Sequence, residues 1–330
     1  MLSPKQGKLL KAVFEHPLDH NSCFLCAEPL TTETRTDEHV IPKWVLQKYD
    51  LWNERLGLLN DTTIQYRQLT VPCCTSCNNE RLSRLESTVE IAASSGYDAV
   101  VALPKFTLFQ WLAKIFVGLL YKDLLLPLDR SDPSVGNIID PEILKRFSII
   151  HLWIQMSNLT FEPGNDYESC PGSIFLFRTQ KPSSPRDQFD LVDATQSNCL
   201  AIRLGDVGIV GDFLEHGVHA RNAGDSFLPY QRFPLHPLQF KELAAQIFYA
   251  ASLLDLETDV EFYDTPDGPK FAFLWHPPEN SSRREWKQEE YAYVLANVMR
   301  FSEDEKVFEP PNKVWTCLHN TDGSIRKIPL

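Results

Sequence analysis

Apolar and polar positions recur at two different periods along this chain, and the changes of period mark out its segments. Residues 5–15 have the spacing of a short helix that HPLDHN ends, and CFLCAEPL follows as a tight turn. Residues 31–41 lead from charged turn material into HVIP, a strand that Pro42 is expected to end. Over 43–59 the spacing predicts a helix with Trp44, Leu51, Leu56 and Leu59 facing inward. NDTT then turns the chain, and IQYRQLTV reads as a strand stopped by Pro72. A helix is predicted within 74–93, its apolar stripe formed by Leu82, Leu85, Val89 and Ala92. Farther on, 103–125 and 141–156 read as helices and 126–137 as a turn-rich joint. Strands are then predicted at 172–179, in a hairpin over 199–213 that turns at Gly205 and Asp206, and in a pair over 260–275 around Pro266, Asp267 and Gly268. Helices over 238–254 and 285–301 alternate with them, and a small hairpin closes the chain.

This pattern predicts an α+β protein: a small N-terminal domain over 1–95 and a larger α+β region over 96–330, with 126–137 as the other candidate boundary. At 330 residues and 43% apolar, the chain can build two cores. Its most apolar stretch, 111–128, carries Lys114, Lys122 and Asp123, which argues for a buried helix and against a membrane span. The start shows basic residues but no apolar run with a cleavage site, so the cytoplasm is the expected compartment. Eight cysteines occur, and pairs of the C-x-x-C form in such a chain point to metal or redox chemistry rather than a disulfide framework. Cys170, Cys199 and Cys317 stand apart and read as buried free thiols. The net charge of −12 is adverse for contact with phosphates. Most of the acid lies beyond the first 90 residues, which points to weak intrinsic nucleic-acid affinity, a partner that delivers substrate, or a local basic patch.

The chemistry concentrates near the N-terminus. Cys23 and Cys26 form one C-x-x-C pair, Cys74 and Cys77 another. Each two-residue gap lets both thiolates meet one ion, and four soft sulfurs favour tetrahedral zinc. Four reduced core thiols, or an iron–sulfur cluster, are the alternatives. Cys73 precedes Cys74 directly; Cys74 is preferred as ligand because its spacing to Cys77 repeats that of the first pair. Between the pairs lies D-E-H-V-I-P, 37–42. Glu38 and Asn78 offer hard oxygens suited to Mg²⁺ or Mn²⁺. His39 has a near-neutral reference pKa and can take a proton from water. Being adjacent, Glu38 and His39 face opposite ways on a regular strand and share one site only if the strand ends or bends there.

The combination C-x-x-C, E-H-V-I-P and C-x-x-C-N resembles the HNH endonucleases of the ββα-metal (His-Me finger) group, over about 70 residues. The resemblance implies a structural zinc on Cys23, Cys26, Cys74 and Cys77. It implies His39 as general base, and Glu38 and Asn78 as ligands of a catalytic Mg²⁺ or Mn²⁺. The activity it implies is hydrolysis of DNA phosphodiester bonds to 5′-phosphate and 3′-hydroxyl ends. Three features depart from the family pattern. Glu38 stands where Asp is usual, Gln68-Leu69 stands for the central Asn-Leu whose Asn holds the catalytic loop, and the segment between His39 and Asn78 is long.

Around this core, Asp37 is a further candidate support for the metal, although a plain loop carboxylate is the simpler reading. Arg81 and Arg84 are candidate phosphate contacts or intrahelical partners of Glu80 and Glu86. Lys43 and Lys48 share that ambiguity. His16 and His20 read as solvated, and Trp44, Trp52 and Trp111 as core. His216, His219 and His276 form no second constellation, and GDVGIVG does not fit a dinucleotide loop. Residues 96–330 carry no motif of their own and are assigned to substrate or partner recognition. A gating protein partner, a homo-oligomer and a setting in bacterial defence against foreign DNA are consistent with the resemblance. Two other readings stand beside a DNA endonuclease: a catalytically silent HNH-like zinc module that binds protein or nucleic acid, and a ribonuclease.

Overall fold

A computed structural model of the chain describes residues 15–155, 171–215, 217–254, 258–265, 268–275, 284–302 and 304–330. Cys170, His216, His276, the turn residues Pro266 and Asp267, and almost all of the helix expected over 5–15 lie outside these. In chain order, the first half contains β1 (Arg35–His39), α1 (Lys43–Lys48), β2 (Arg55–Gly57), β3 (Thr63–Gln65), β4 (Thr70–Cys74), α2 (Ser83–Ser95), α3 (Tyr97–Val101), α4 (Lys105–Leu124), α5 (Pro141–Lys145) and α6 (Ser148–Gln155). The second half contains β5 (Ser173–Arg178), β6 (Phe189–Ala194), β7 (Cys199–Leu204), β8 (Val207–Asp212), α7 (Val218–Phe227), α8 (Pro237–Ser252), β9 (Thr258–Thr265), β10 (Gly268–Trp275) and α9 (Gln288–Met299). It closes with the short strands β11 (Phe308–Glu309) and β12 (Lys313–Val314).

Contacts group the chain into two compact units, each drawn from several stretches. The first takes the described residues within Met1–Ile91, Phe106–Glu168 and Val260–Phe273, the second those within Ala92–Lys105, Ser169–Asp259 and Leu274–Leu330. The turn-rich joint at 126–137 therefore lies inside the first unit. There Asn60 Nδ2 donates to the carbonyls of Pro127 and Leu128, at 3.3 and 3.0 Å.

In the first unit β1 and β4 form an antiparallel ladder, with Arg35 opposite Cys74, Asp37 opposite Pro72 and His39 opposite Thr70. Pro72 does not stop the strand as expected. It sits where its missing N–H would point away from β1, on the side where its carbonyl accepts from Phe24 N at 2.8 Å. The helix expected over 43–59 ends after Lys48. Asp50 turns left-handed at φ 52°, and Leu51 N donates back to Leu46 O at 2.8 Å, closing the helix in a Schellman arrangement. The remainder becomes the β2–β3 hairpin, and Leu59, expected inside, is 66% exposed. The strand expected over 64–71 is likewise broken by a 3-10 turn at Tyr66–Gln68.

A π-turn over Cys77–Leu82 leads into α2, and Leu82, Leu85, Val89 and Ala92 are all buried as the spacing predicted. Helix α4 is buried over most of its length, Lys114 included. The helix expected over 141–156 is divided into α5 and α6.

The second unit is built on a four-stranded antiparallel sheet in the order β5-β8-β7-β6, with the β7–β8 hairpin turning at Gly205, φ 67°. Helix α8 packs on β7 and β8, and α9 packs on α8. Phe177, Ala201, Val210, Phe240, Leu243, Phe248, Leu295 and Leu318 belong to the resulting core. Cys199 and Cys317 are buried free thiols, as expected. Among the described residues, no helix is long and apolar enough to cross a membrane.

Candidate zinc centre and nuclease-like site

The Sγ atoms of Cys23, Cys26, Cys74 and Cys77 all lie within 4.8 Å of one another. Among the described residues, no other group of three or more His, Cys, Asp or Glu side chains converges in this way. The first pair sits on a tight turn. Cys23 N donates to Glu28 O, Ala27 N returns to Cys23 O, both at 2.9 Å, and Ala27 takes a left-handed φ of 58°. In the second pair Cys77 N points at Cys74 Sγ, 3.4 Å away, and Arg81 Nη1 lies 3.6 Å from Cys77 Sγ. Backbone amides and a guanidinium aimed at sulfur stabilise thiolate charge. Sulfur–sulfur hydrogen bonds, that with Cys26 first, hold Cys23 far below the ordinary thiol range, while the contact with Cys23 pushes Cys26 and Cys77 above it. Such a donor set fits zinc, which would replace the shared protons.

Cys73 is fully buried, its Sγ 3.8 Å from Cys23 Sγ. The ladder turns Cys73 to the face of β1 that carries Thr36 and Glu38, and Cys74 to the opposite face. The convergent four thus include Cys74, not Cys73.

Two histidines brace the first knuckle. His16 Nε2 lies 2.9 Å from Cys23 O and 3.1 Å from Phe24 O, and His151 Nε2 lies 2.7 Å from Phe24 O. Burial lowers the pKa of both, that of His151 to about 3. His16 is therefore not the solvated loop residue that its sequence context suggested, whereas His20 is exposed. No local signal marks His151; only the fold carries it to the knuckle.

Beside the sulfur cluster the ladder stays regular through His39, so Glu38 and His39 point to opposite faces of β1. The bend that would bring them to one side is not seen. His39 is half-buried and stacks on Trp52, with ring centroids 5.7 Å apart and planes 23° apart. Its Nδ1 is buried without a hydrogen bond. Burial first, then Lys43 and Lys114, lower its pKa and keep the imidazole neutral. Trp52, read as core from the sequence, is thus a neighbour of the candidate base. Asn78 shares the Glu38 face, since its Nδ2 donates to Thr36 Oγ1 at 3.0 Å.

Glu38 is 5% exposed, and its carboxylate meets the ammonium of Lys114. Lys114 also reaches Glu86 Oε1 at 2.7 Å and donates to His39 O at 2.6 Å and Val40 O at 3.2 Å. Burial raises the Glu38 carboxyl to about 7 against the pull of Lys114. For Lys114 burial pulls the other way, and the two carboxylates prevail and raise it. Sequence reading treated Lys114 only as an interruption of an apolar stretch, and Glu86 as a partner of arginine.

Gln68 is exposed and caps its own 3-10 turn, accepting from Gln65 N at 3.3 Å. The chain after His39 is held instead by the main chain, Val40 N to Leu69 O at 2.9 Å. Arg81 is turned inward to Gln155 O and Cys77 Sγ. Asp37 and Arg84 are exposed.

No family profile matches the chain, and neither does any curated protein or solved structure. A cluster of four cysteines in a ββα-like setting is what the molecule shows, and it points to a zinc-binding module in the first unit.

Proposed function

We propose that the first unit is a zinc-stapled, nuclease-like module of the HNH type that hydrolyses phosphodiester bonds in DNA. The observation that supports this reading best is the four-cysteine cluster set beside the strand that ends in His39. The four-cysteine cluster joins the first knuckle to the end of β4, the ladder partner of the strand that ends in His39, and Asn78 is bonded to that strand through Thr36 on the Glu38 face. A neutral, half-buried imidazole beside an aromatic ring suits the role of general base: His39 would take the proton of the attacking water as its oxygen bonds to phosphorus, while the bond from phosphorus to the 3′ oxygen breaks and that oxygen leaves to take up a proton from solvent as the 3′-hydroxyl. Lys43 and Arg84 are exposed and available to phosphates. A zinc ion on the four cysteines would supply rigidity, not chemistry. A divalent ion on Glu38 and Asn78 does not fit the arrangement as it stands, because the Glu38 carboxylate is already committed to Lys114.

The same ion pair favours a second reading, a catalytically silent zinc module that binds nucleic acid or protein. Incubation with supercoiled plasmid, single-stranded DNA and RNA separates the readings. Mg²⁺ and Mn²⁺ are each supplied, with EDTA and the His39→Ala protein as controls. Cleavage abolished in H39A with zinc content intact supports hydrolysis, and the polymer that is cut identifies the substrate. Cleavage that persists in H39A removes His39 from the reaction. A zinc-loaded protein that cuts nothing under any of these conditions favours the silent module.

A further inference from the structure

Lys114 lies on a helix whose buried side chains are mostly apolar and is 1% exposed. A lone ammonium buried this deeply is strongly disfavoured unless its surroundings replace the lost water. Four oxygens do so: carboxylate oxygens of Glu38 and Glu86 and the main-chain oxygens of His39 and Val40. Two anionic and two carbonyl oxygens around one point are the hard-donor set that Mg²⁺ and Mn²⁺ prefer. One ammonium faces two carboxyls, which together can carry two negative charges. A divalent ion in the same cage would neutralise both.

We infer that Lys114 is an internal cation that latches this site: it occupies the oxygen cage through which Glu38 would ligate a divalent ion, so the protein in this arrangement holds zinc and no second metal. The inference rests on the proposed function in identifying Glu38 as the carboxylate that a nuclease of this type needs, and it turns Lys114 into the regulator of that carboxylate. Any cleavage activity that uses Glu38 then requires Lys114 to withdraw first. The ammonium also holds the carbonyl of His39, so its withdrawal would release the end of β1 at the same time.

The test is a Mn²⁺ titration of the full chain, with unbound Mn²⁺ read by electron paramagnetic resonance and zinc content measured alongside. Wild type, Glu38→Gln, Lys114→Ala and the double variant are compared. Mn²⁺ lies at the weak end of the divalent series and does not displace zinc from thiolates. Wild type is expected to take up no Mn²⁺ in the micromolar range. Lys114→Ala should gain one Mn²⁺ per chain and a higher melting temperature with the metal than without it. Adding Glu38→Gln should weaken that new site by about tenfold or more. A purely structural lysine would lower stability on removal without creating a metal site. A zinc-loaded Lys114→Ala protein that binds no Mn²⁺ therefore overturns the inference. So does a wild-type site that Glu38→Gln abolishes, an arm that needs no lysine variant to fold. Should Lys114→Ala lose its zinc, Lys114→Gln, which keeps a donor for the two carbonyls, takes its place. No nucleic acid enters the titration, so its outcome is independent of the cleavage assay.

Discussion

The ammonium of Lys114 lies 2.6 Å from the main-chain oxygen of His39 and simultaneously grips the Glu38 side chain on the other face of the same strand. One side chain from α4 thus controls both halves of the E-H pair. Burial of these charges also makes the cluster a determinant of stability.

Lys114→Met leaves Glu38 and Glu86 facing each other with no cation between them. Both are mostly buried, with side chains 7% and 19% exposed. The expected loss is about 3–5 kcal/mol, read by urea denaturation at pH 7.5. Combining it with Glu38→Gln should recover part of that loss, since the remaining carboxylate no longer meets a like charge. A loss within about 0.5 kcal/mol would show the cage to be open to water.

The convergence of Cys74 rather than Cys73 on the other sulfurs predicts different fates for two neighbouring variants. Cys74→Ala should lose zinc and unfold the N-terminal module, because binding and folding are linked. Cys73→Ala should keep its zinc and lose only packing, about 1 kcal/mol for a small buried side chain. Metal analysis of the two purified proteins decides, and zinc loss in C73A alone reverses the assignment.

His151 predicts a pH response. Its pKa is lowered to about 3 in the fold by burial, against 6.5 when exposed. Below 6.5 the unfolded chain therefore binds a proton that the folded chain refuses. Stability from this group is complete above pH 6.5 and falls as the pH drops towards 3. Between pH 7 and pH 5 the loss is about 2 kcal/mol. His151→Gln keeps a donor for Phe24 O without the titration, so its stability should fall less over that interval. Equal slopes for the two proteins would show that His151 is charged in the fold.

Gly208 illustrates a constraint in the second unit. A Cβ at this position of β8 would meet the Phe240 ring at 2.5 Å. Phe240 is itself fully buried on α8. Gly208→Ala should therefore destabilise by about 1–3 kcal/mol or more through overpacking, a shift visible in thermal unfolding. This close approach of helix to strand accounts for a glycine that GDVGIVG does not owe to any cofactor.

Much of the N-terminal module was legible in the chain itself. Cysteine spacing, the strand before Pro42, and the apolar stripe at 82, 85, 89 and 92 are local signals. Each works within a few residues, where backbone geometry alone decides which side chains meet. The α+β character of the chain follows from them, as does a strand, helix, strand, helix order into which the unmarked β2–β3 hairpin is set. Where a local signal competed with tertiary contacts, reading failed. The helix expected over 43–59 stops after Lys48 because Asp50 closes a Schellman turn, and Pro72 stays in its strand because its missing donor faces away from the ladder. What only the tertiary structure decided are the partners brought from far along the chain. His151 reaches Phe24 across 127 residues, and Lys114 reaches the carbonyl of His39 across 75. In sequence a lysine within an apolar run is merely an interruption. Once folding removes water, an ammonium must be surrounded by oxygen, and the oxygens at hand include the carboxylate that the motif seemed to reserve for a metal.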